Sequence, residues 1–377
     1  MLTIENLSFW EKETYFNHND FVIIGAGIVG YTTAFWLRKK YPTSKILILE
    51  RGYLPSGAST KNAGFACFGS PTEIYDDLQR IPESLVWETV SERFHGLKKL
   101  FSIIEPDLFD YKPCGSWDLV EKKEDLLPND FLLYLNQKIR ENFGSSYGET
   151  YTQDKTIHEK FGFNGFYSSY HNKLEGAINT GKLMQLLFQK ITSLDVNVLF
   201  GVKVDSFNDE GNEVVIQTNI GNINCSKLII CTNGFSKELS QKLEVEPARA
   251  QVVVTSPLKN LNWEGTFHFD RGYYYFRNIE NRILIGGGRN LDFEGETTTD
   301  LSISPQIQEA IENLLKTMII PHAKFEITDR WAGIMGVGKE KKPIIKILSN
   351  NVAVGVRLGG MGVAIGSNVG QKLANIF

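Results

Sequence analysis

The stretch VIIGAGIVGYTTAFWL, residues 22–37, runs from apolar residues through three glycines into an apolar-rich segment. Residues 21–24 read as a short buried parallel strand. Gly25, Gly27 and Gly30 follow in G-x-G-x-x-G spacing, and a helix is expected over residues 28–40. In such a turn the first glycine makes a tight bend, the second admits a pyrophosphate to the backbone, and the third lets helix and strand pack closely. Ala26, Ile28 and Val29 complete the turn, so the free N–H groups and positive end of the helix face the phosphates. SKILILE, residues 44–50, supplies a second strand over residues 45–49 and ends at Glu50, twenty residues past Gly30. An acid there hydrogen-bonds the ribose hydroxyls of an adenosine. Strand, turn, helix, second strand and terminal acid agree on an adenosine dinucleotide. The acid disfavours NADP and leaves NAD and FAD both open.

RGYLPSGASTKNAGFACFGS, residues 51–70, comes next. It is rich in small residues and has no hydrophobic periodicity, which suits backbone packed directly against a flat ligand. This segment resembles the loop of the D-amino acid oxidase family, the group with glycine oxidase and sarcosine oxidase, in which G-A-S-x-x-N-A-G lies along the FAD isoalloxazine. EGAINTGKLMQLL (175–187), VKVDSF (202–207), KLIICTNGFS (227–236), ARAQVVVT (248–255) and YYYFRNIENRILIGGGRN (273–290) agree with the family in order. DRWAGIMGVG (329–338) and VRLGGMGVAIGSNVGQKLA (356–374) close its C-terminal part. The last of these also reads by itself as strand, glycine turn and helix, whose N-terminus suits the electron-rich edge of a reduced flavin.

The resemblance spans residue 20 to the end. It implies an α/β fold: a Rossmann-type FAD-binding domain, with a parallel sheet and helices, plus an α+β substrate domain with an antiparallel sheet. The FAD domain is expected as three pieces, 1–85, 172–247 and 327–377. Residues 86–171, helical and aromatic, and 248–326, strand-like, form the substrate or lid domain. Beyond the glycine turn and Glu50, the implied FAD contacts are Arg51, then Gly57, Ala58, Ser59, Thr60, Lys61, Asn62, Ala63 and Gly64 of the loop, and Val204 at the adenine. Thr232, Asn233, Gly234 and Gly333 follow, with Arg357, Gly359, Gly360, Met361, Gly362 and Val363 at the C-terminal turn.

The implied reaction is oxidation of a small amine or amino acid, with hydride transfer to flavin N5 and hydrolysis of the imine. Neither a second G-x-G-x-x-G unit nor a Cys-x4-Cys pair occurs, so electrons are expected from an organic substrate and pass to oxygen or another acceptor. The chain departs from its relatives where an arginine commonly holds the substrate carboxylate. Met335 stands there, and Lys342 precedes Pro343 where an acid is usual. Arg277, Arg357 and Lys61 are the substitute cations considered, and Lys61 or Arg357 the candidates for promoting oxygen reduction. Tyr273, Tyr274 and Tyr275 alternate faces on a strand, with Tyr274 taken as the catalytic candidate. Lys61 stands about where some relatives carry a histidine bonded to FAD, so noncovalent FAD is expected. Cys67 is expected to be a packed residue. The rival readings are a dehydrogenase using a quinone or carrier protein, a flavin subunit active only with a partner, and a nicotinamide enzyme.

Composition fits this class. The 377 residues favour two domains. Net charge is −4 without a basic block, so no nucleic-acid partner is expected. Four cysteines are too sparse for a disulfide scaffold, and the six histidines show no metal-ligand spacing. Residues 1–20 are polar and mixed in charge, and no apolar run approaches the roughly 20 residues a membrane span needs. A cytoplasmic protein, possible as an oligomer, is expected.

Overall fold

The computed structural model describes residues 3–377. Strand Asn19–Ile24 lies at the centre of the first sheet, paired in parallel with Ile46–Glu50 on one side and Gly221–Ile230 on the other. Asn197–Phe200 extends the sheet beyond Ile46–Glu50, and Val352–Val356 extends it beyond Gly221–Ile230, both in parallel. The central strands are apolar on both faces, as a parallel sheet covered on both sides requires. Val22, Ile24, Leu47, Leu49, Leu228 and Ile230 point to one layer. Phe21, Ile23, Ile46, Ile48 and Ile229 point to the other. The period of two thus divides one sheet between two cores.

Helices Ile28–Lys40, Glu83–Ile103, Thr180–Thr192 and Gly362–Ala374 cover the second of those layers. An antiparallel hairpin, Val204–Asp209 with Val214–Thr218, contributes Val214 and Ile216 to the first. Two close approaches set the helix positions. A Cβ on Gly30 would lie 1.9 Å from the Gly25 carbonyl oxygen, so only glycine lets Ile28–Lys40 start directly over the turn. A Cβ on Gly370 would lie 2.3 Å from Thr32 Oγ1, so Gly362–Ala374 packs almost backbone to backbone on the same helix.

The second sheet has eight strands, in the order Ile327–Val337, Glu246–Thr255, Arg282–Gly287, Tyr274–Ile279, Thr266–Phe269, Ser116–Val120, Ser168–Asn172, Tyr151–Asp154. Its pairings are antiparallel except that between Thr266–Phe269 and Ser116–Val120. Helix Pro305–Leu314 lays Ile307 and Ile311 against Phe267, Phe276 and Ile285.

Two expectations need correction. Segment 327–377 is not one piece of the first domain, because Ile327–Val337 pairs along its length with Glu246–Thr255, and the first sheet resumes only at Ile344–Ser349. Segment 86–171 is not helical throughout, since it supplies three strands to the second sheet. Those strands pair only with chain far away in sequence or with each other, which local helical patterning does not reveal.

Gly30→Ala forces a methyl onto a backbone oxygen that cannot rotate away. A loss of about 1–3 kcal/mol is expected, seen as a lower thermal midpoint and reduced nucleotide retention. A variant with the wild-type midpoint and full retention would contradict this packing.

Candidate functional site

A cavity of ≈ 680 Å³ runs from the ends of the central strands to the face of the second sheet, within the roughly 300–1,000 Å³ of small-molecule sites. Gly25, Gly27, Ile28 and Val29 line one end. Helix Ile28–Lys40 has no side-chain cap at Gly27. Ser59 Oγ accepts the Ile28 N–H at 3.0 Å, and the following N–H groups lack helical partners. Glu50 lines the same end, its carboxylate accepting from Ala26 N at 3.0 Å and Gly52 N at 2.9 Å. Arg51 and Val204 are beside it, with Arg51 paired to Glu238 at 3.3 Å.

The small-residue loop forms the middle of the wall through Gly57, Ala58, Ser59, Lys61, Asn62 and Ala63. Asn62 sets its shape: its amide donates to Ala58 O and Ser59 O, and its oxygen accepts from Gly64 N at 2.8 Å. Thr232, Asn233 and Gly333 line the opposite wall. Asn233 Oδ1 accepts from the backbone N–H groups of Arg357 and Leu358, joining two loops. Beyond them Gly359 and Gly360 take positive φ values of 58° and 82°, turning the chain so that helix Gly362–Ala374 aims its uncapped N-terminus at the cavity. Met361, Gly362 and Val363 complete that end.

These residues fit a flavin dinucleotide. Thr232 Oγ1 is buried at the wall with no partner, an orphan that a ligand polar group would satisfy. Two uncapped helix N-termini face a single cavity, one suited to phosphates and one to the anionic edge of a flavin.

Six of the sequence-predicted contacts stand behind the wall. Ala26 and Gly30 shape the first turn, Thr60 donates to Pro55 O at 2.6 Å, and Gly64 packs against Ile178. Gly234 abuts the Met335 carbonyl, and Arg357 turns away.

Three catalytic candidates are corrected. Arg357 donates to Lys342 O at 2.9 Å and pairs with Glu340 at 3.1 Å, because its backbone hydrogen bond to Asn233 directs the side chain outward from the turn. Arg277 does not face the pocket. It is buried, donating to Gly64 O at 2.7 Å and Ile178 O at 2.8 Å, so it fastens the small-residue loop to the second sheet. Burial without a carboxylate lowers its pKa to about 10. Tyr274 stacks on Phe269 in the core behind the sheet, since strand alternation turns Tyr273 and Tyr275 toward the cavity instead. Tyr275 lies edge-on to Phe65 with ring centroids 6.0 Å apart, and burial pushes its phenol up to about 12. Lys61 is the one catalytic candidate that lines the cavity.

Several lining residues escaped sequence reasoning. Glu73, Glu175, Lys341, His268 and Arg289 reach the cavity from separate elements. Glu175 was within a quoted motif, but nothing local marks it as buried. Its carboxylate accepts from Phe68 N at 2.7 Å and Gly69 N at 3.0 Å, and burial outweighs those bonds to raise its pKa to about 7. Glu73 is partly buried by helix packing, which would raise its pKa, but Arg93 at 3.2 Å and Lys341 at 2.9 Å overcome this and hold it at about 2. Lys341 also reaches Asp77 at 2.8 Å, closing the cavity rim with ion pairs. Met335, the position where the resemblance implies an arginine, lines the wall.

The family model described as FAD dependent oxidoreductase, DAO, matches residues 20–376. The chain belongs to this family. It is 20% identical over 341 residues to "Sarcosine oxidase subunit beta" of Rhodobacter capsulatus, covering 86% of this chain and 76% of that one. Among solved structures it is similar to L-proline dehydrogenase from P. horikoshii, with 18% identity, TM-score 0.75 and coverage of 96% and 93% of the two chains. It is likewise similar to glycine oxidase from Geobacillus kaustophilus, with 17% identity, TM-score 0.74 and 95% coverage of each chain. The chain thus combines the family's FAD-binding Rossmann-like fold with a second sheet domain.

Glu175 generates a pH prediction. Its folded pKa of about 7 lies above the ordinary 4.5, so its contribution is fully present below 4.5 and is lost as pH rises through 7. Over that window stability falls by up to about 1.4 kcal/mol per pH unit. Denaturant midpoints of wild type and Glu175→Gln at pH 5 and pH 8 measure this. The variant is expected to lose much of the wild-type decline, and parallel declines would contradict the assignment.

Proposed function

We propose that this chain oxidises a small amine or amino acid with noncovalently bound FAD. The observation that carries the reading is the second sheet's placement of Tyr273, Tyr275 and Met335 on the same cavity as the small-residue loop and the C-terminal glycine turn. The cofactor supplies acceptance of a hydride from the carbon that bears the amine. The chain's residues do the rest. Helix Gly362–Ala374 directs its positive end at negative charge developing beside it. The loop held by Asn62 and Arg277 keeps one wall rigid, so the substrate is oriented against a fixed surface. Tyr275 keeps its proton and offers an O–H to the substrate.

Noncovalent attachment is supported by Lys61 in the loop and by the half-buried Cys67 at the cavity wall, where desolvation pushes the thiol well above its ordinary range, away from the reactive thiolate. Four free cysteines suit a reducing cytoplasm. Among the described residues no helix is long and apolar enough to cross a membrane. Electrons leave to oxygen, with Lys61 the cation beside the cofactor, or to another acceptor in a dehydrogenase.

A second reading is a flavin subunit that works only with a partner. It is favoured by the similarity to a protein named as a subunit, and by the exposed Leu291, Phe293, Leu301 and Ile303, of which Leu301 reaches the cavity.

The test is anaerobic mixing of FAD-loaded protein with amines, N-methyl amino acids, and D- and L-amino acids, followed in the visible spectrum. Bleaching by one class is expected and names the substrate. A flavin that none of them reduces would contradict self-sufficient catalysis and favour the partner-dependent subunit.

A further inference from the structure

The cavity is lined by six lysine and arginine side chains, and three are already neutralised. Arg51 pairs with Glu238 at 3.3 Å, Lys203 with Asp205 at 3.0 Å, and Lys341 with Glu73 at 2.9 Å and Asp77 at 2.8 Å. Lys61, Arg271 and Arg289 have no carboxylate within ion-pair distance among the described residues. Lys61 is on the cofactor loop, its carbonyl accepting from Trp331 Nε1 at 2.9 Å and its stem against Gly333. Arg271 is exposed on a turn. Arg289 differs from both. It follows strand Arg282–Gly287 of the second sheet, just after Gly288, whose N–H donates to Tyr273 O at 3.0 Å. That puts it beside a tyrosine of the cavity wall.

The guanidinium of Arg289 is half-buried and poorly satisfied. Its Nε is buried without any hydrogen-bond partner, and Nη2 reaches only Thr297 Oγ1, at 3.5 Å. The plane lies 5.0 Å from the Phe293 ring centroid. The nearby Glu296 is not available as a counterion, because Arg249 at 2.7 Å and Gln251 at 2.9 Å hold it. Burial lowers the pKa of Arg289. An arginine kept in such surroundings without an anion costs desolvation that a bound anion would offset. The orphaned Nε and the weakly held Nη2 form one edge of the guanidinium; the Nε is closed in by protein, so a carboxylate meets that edge side-on once the side chain turns into the cavity it lines.

We propose that Arg289 reads the carboxylate of the substrate, doing from the second sheet what Met335 cannot do from strand Ile327–Val337. This rests on the proposed oxidation and narrows its substrate class to amines that bear a carboxylate, that is, amino acids rather than simple alkylamines. The carboxylate lies at the end of the cavity near Arg289 and Tyr273, and the amine-bearing carbon points toward the small-residue loop.

The test is calorimetric titration of the FAD-loaded protein with propionate and with propionamide, its neutral isostere. Wild type is expected to bind propionate in preference to the amide. Arg289→Met is expected to weaken propionate roughly 10- to 100-fold, the size of a charge-assisted bidentate contact, and to leave the amide unchanged. Arg289→Lys, which keeps the charge without the edge, falls between, and Arg271→Met stays within about twofold of wild type. Unchanged FAD content and thermal midpoint establish that the variants are folded. Propionate binding that is unaffected in Arg289→Met, or a wild type that does not distinguish acid from amide, would overturn the proposal. The readout is independent of turnover: loss of propionate binding in a protein that no amine reduces would sink the oxidase reading and leave the anion site standing.

Discussion

The contact between Gly30 and the Gly25 carbonyl is the constraint from which the cavity follows. It seats helix Ile28–Lys40 at the end of strand Asn19–Ile24, with the N–H groups that follow Ile28 left without helical partners at the cavity. Gly362–Ala374 then packs on that helix through Gly370, and its own N-terminus opens on the same cavity. Two helix ends are thereby aimed at one elongated ligand by two backbone approaches, each of which a single methyl would spoil. The rest of the site is arranged around them. Asn233 ties the Thr232 turn to the C-terminal turn, and Arg277 ties the small-residue loop to the second sheet.

Charge is distributed unevenly along the cavity, and the unevenness has chemical meaning. Near the Glu73 helix, acids and bases compensate one another: Arg93 and Lys341 keep Glu73 ionised despite partial burial. Glu175 has no such partner and rests on two backbone N–H groups, which leaves it near neutrality. On the second sheet the imbalance is reversed, with Arg289 left without an acid. Buried pairs contribute little net stability, while breaking one is costly. The paired end therefore acts as structure and the unpaired positions as places for a ligand.

The sequence made the first sheet legible because its signals are local: period-two apolar strands, glycines at fixed spacing, and an acid at the end of the next strand. Glu50, the loop 57–64 and the C-terminal glycines are all at the cavity or shape it. Side-chain direction was not legible. Arg277 and Arg357 are cations in suggestive positions, yet each is consumed by backbone carbonyls that only the tertiary fold brings near. The phase of the tyrosine strand was not legible because alternation alone does not say which face meets the cavity; that is set by how the hairpin, with Gly287 opposite Tyr274, sits in the sheet. Nothing local marks Arg289, which follows three glycines at the end of a strand. Its lack of a counterion becomes visible only when Glu296 is seen engaged by Arg249.

Everything proposed for the site depends on the cavity holding FAD. The most direct measurement is the flavin content of the purified protein, taken from its visible spectrum and from analysis of the cofactor released by acid precipitation. The expected result is a yellow protein that releases intact FAD, one per chain, into the supernatant. A colourless protein that stays colourless after incubation with FAD would contradict it.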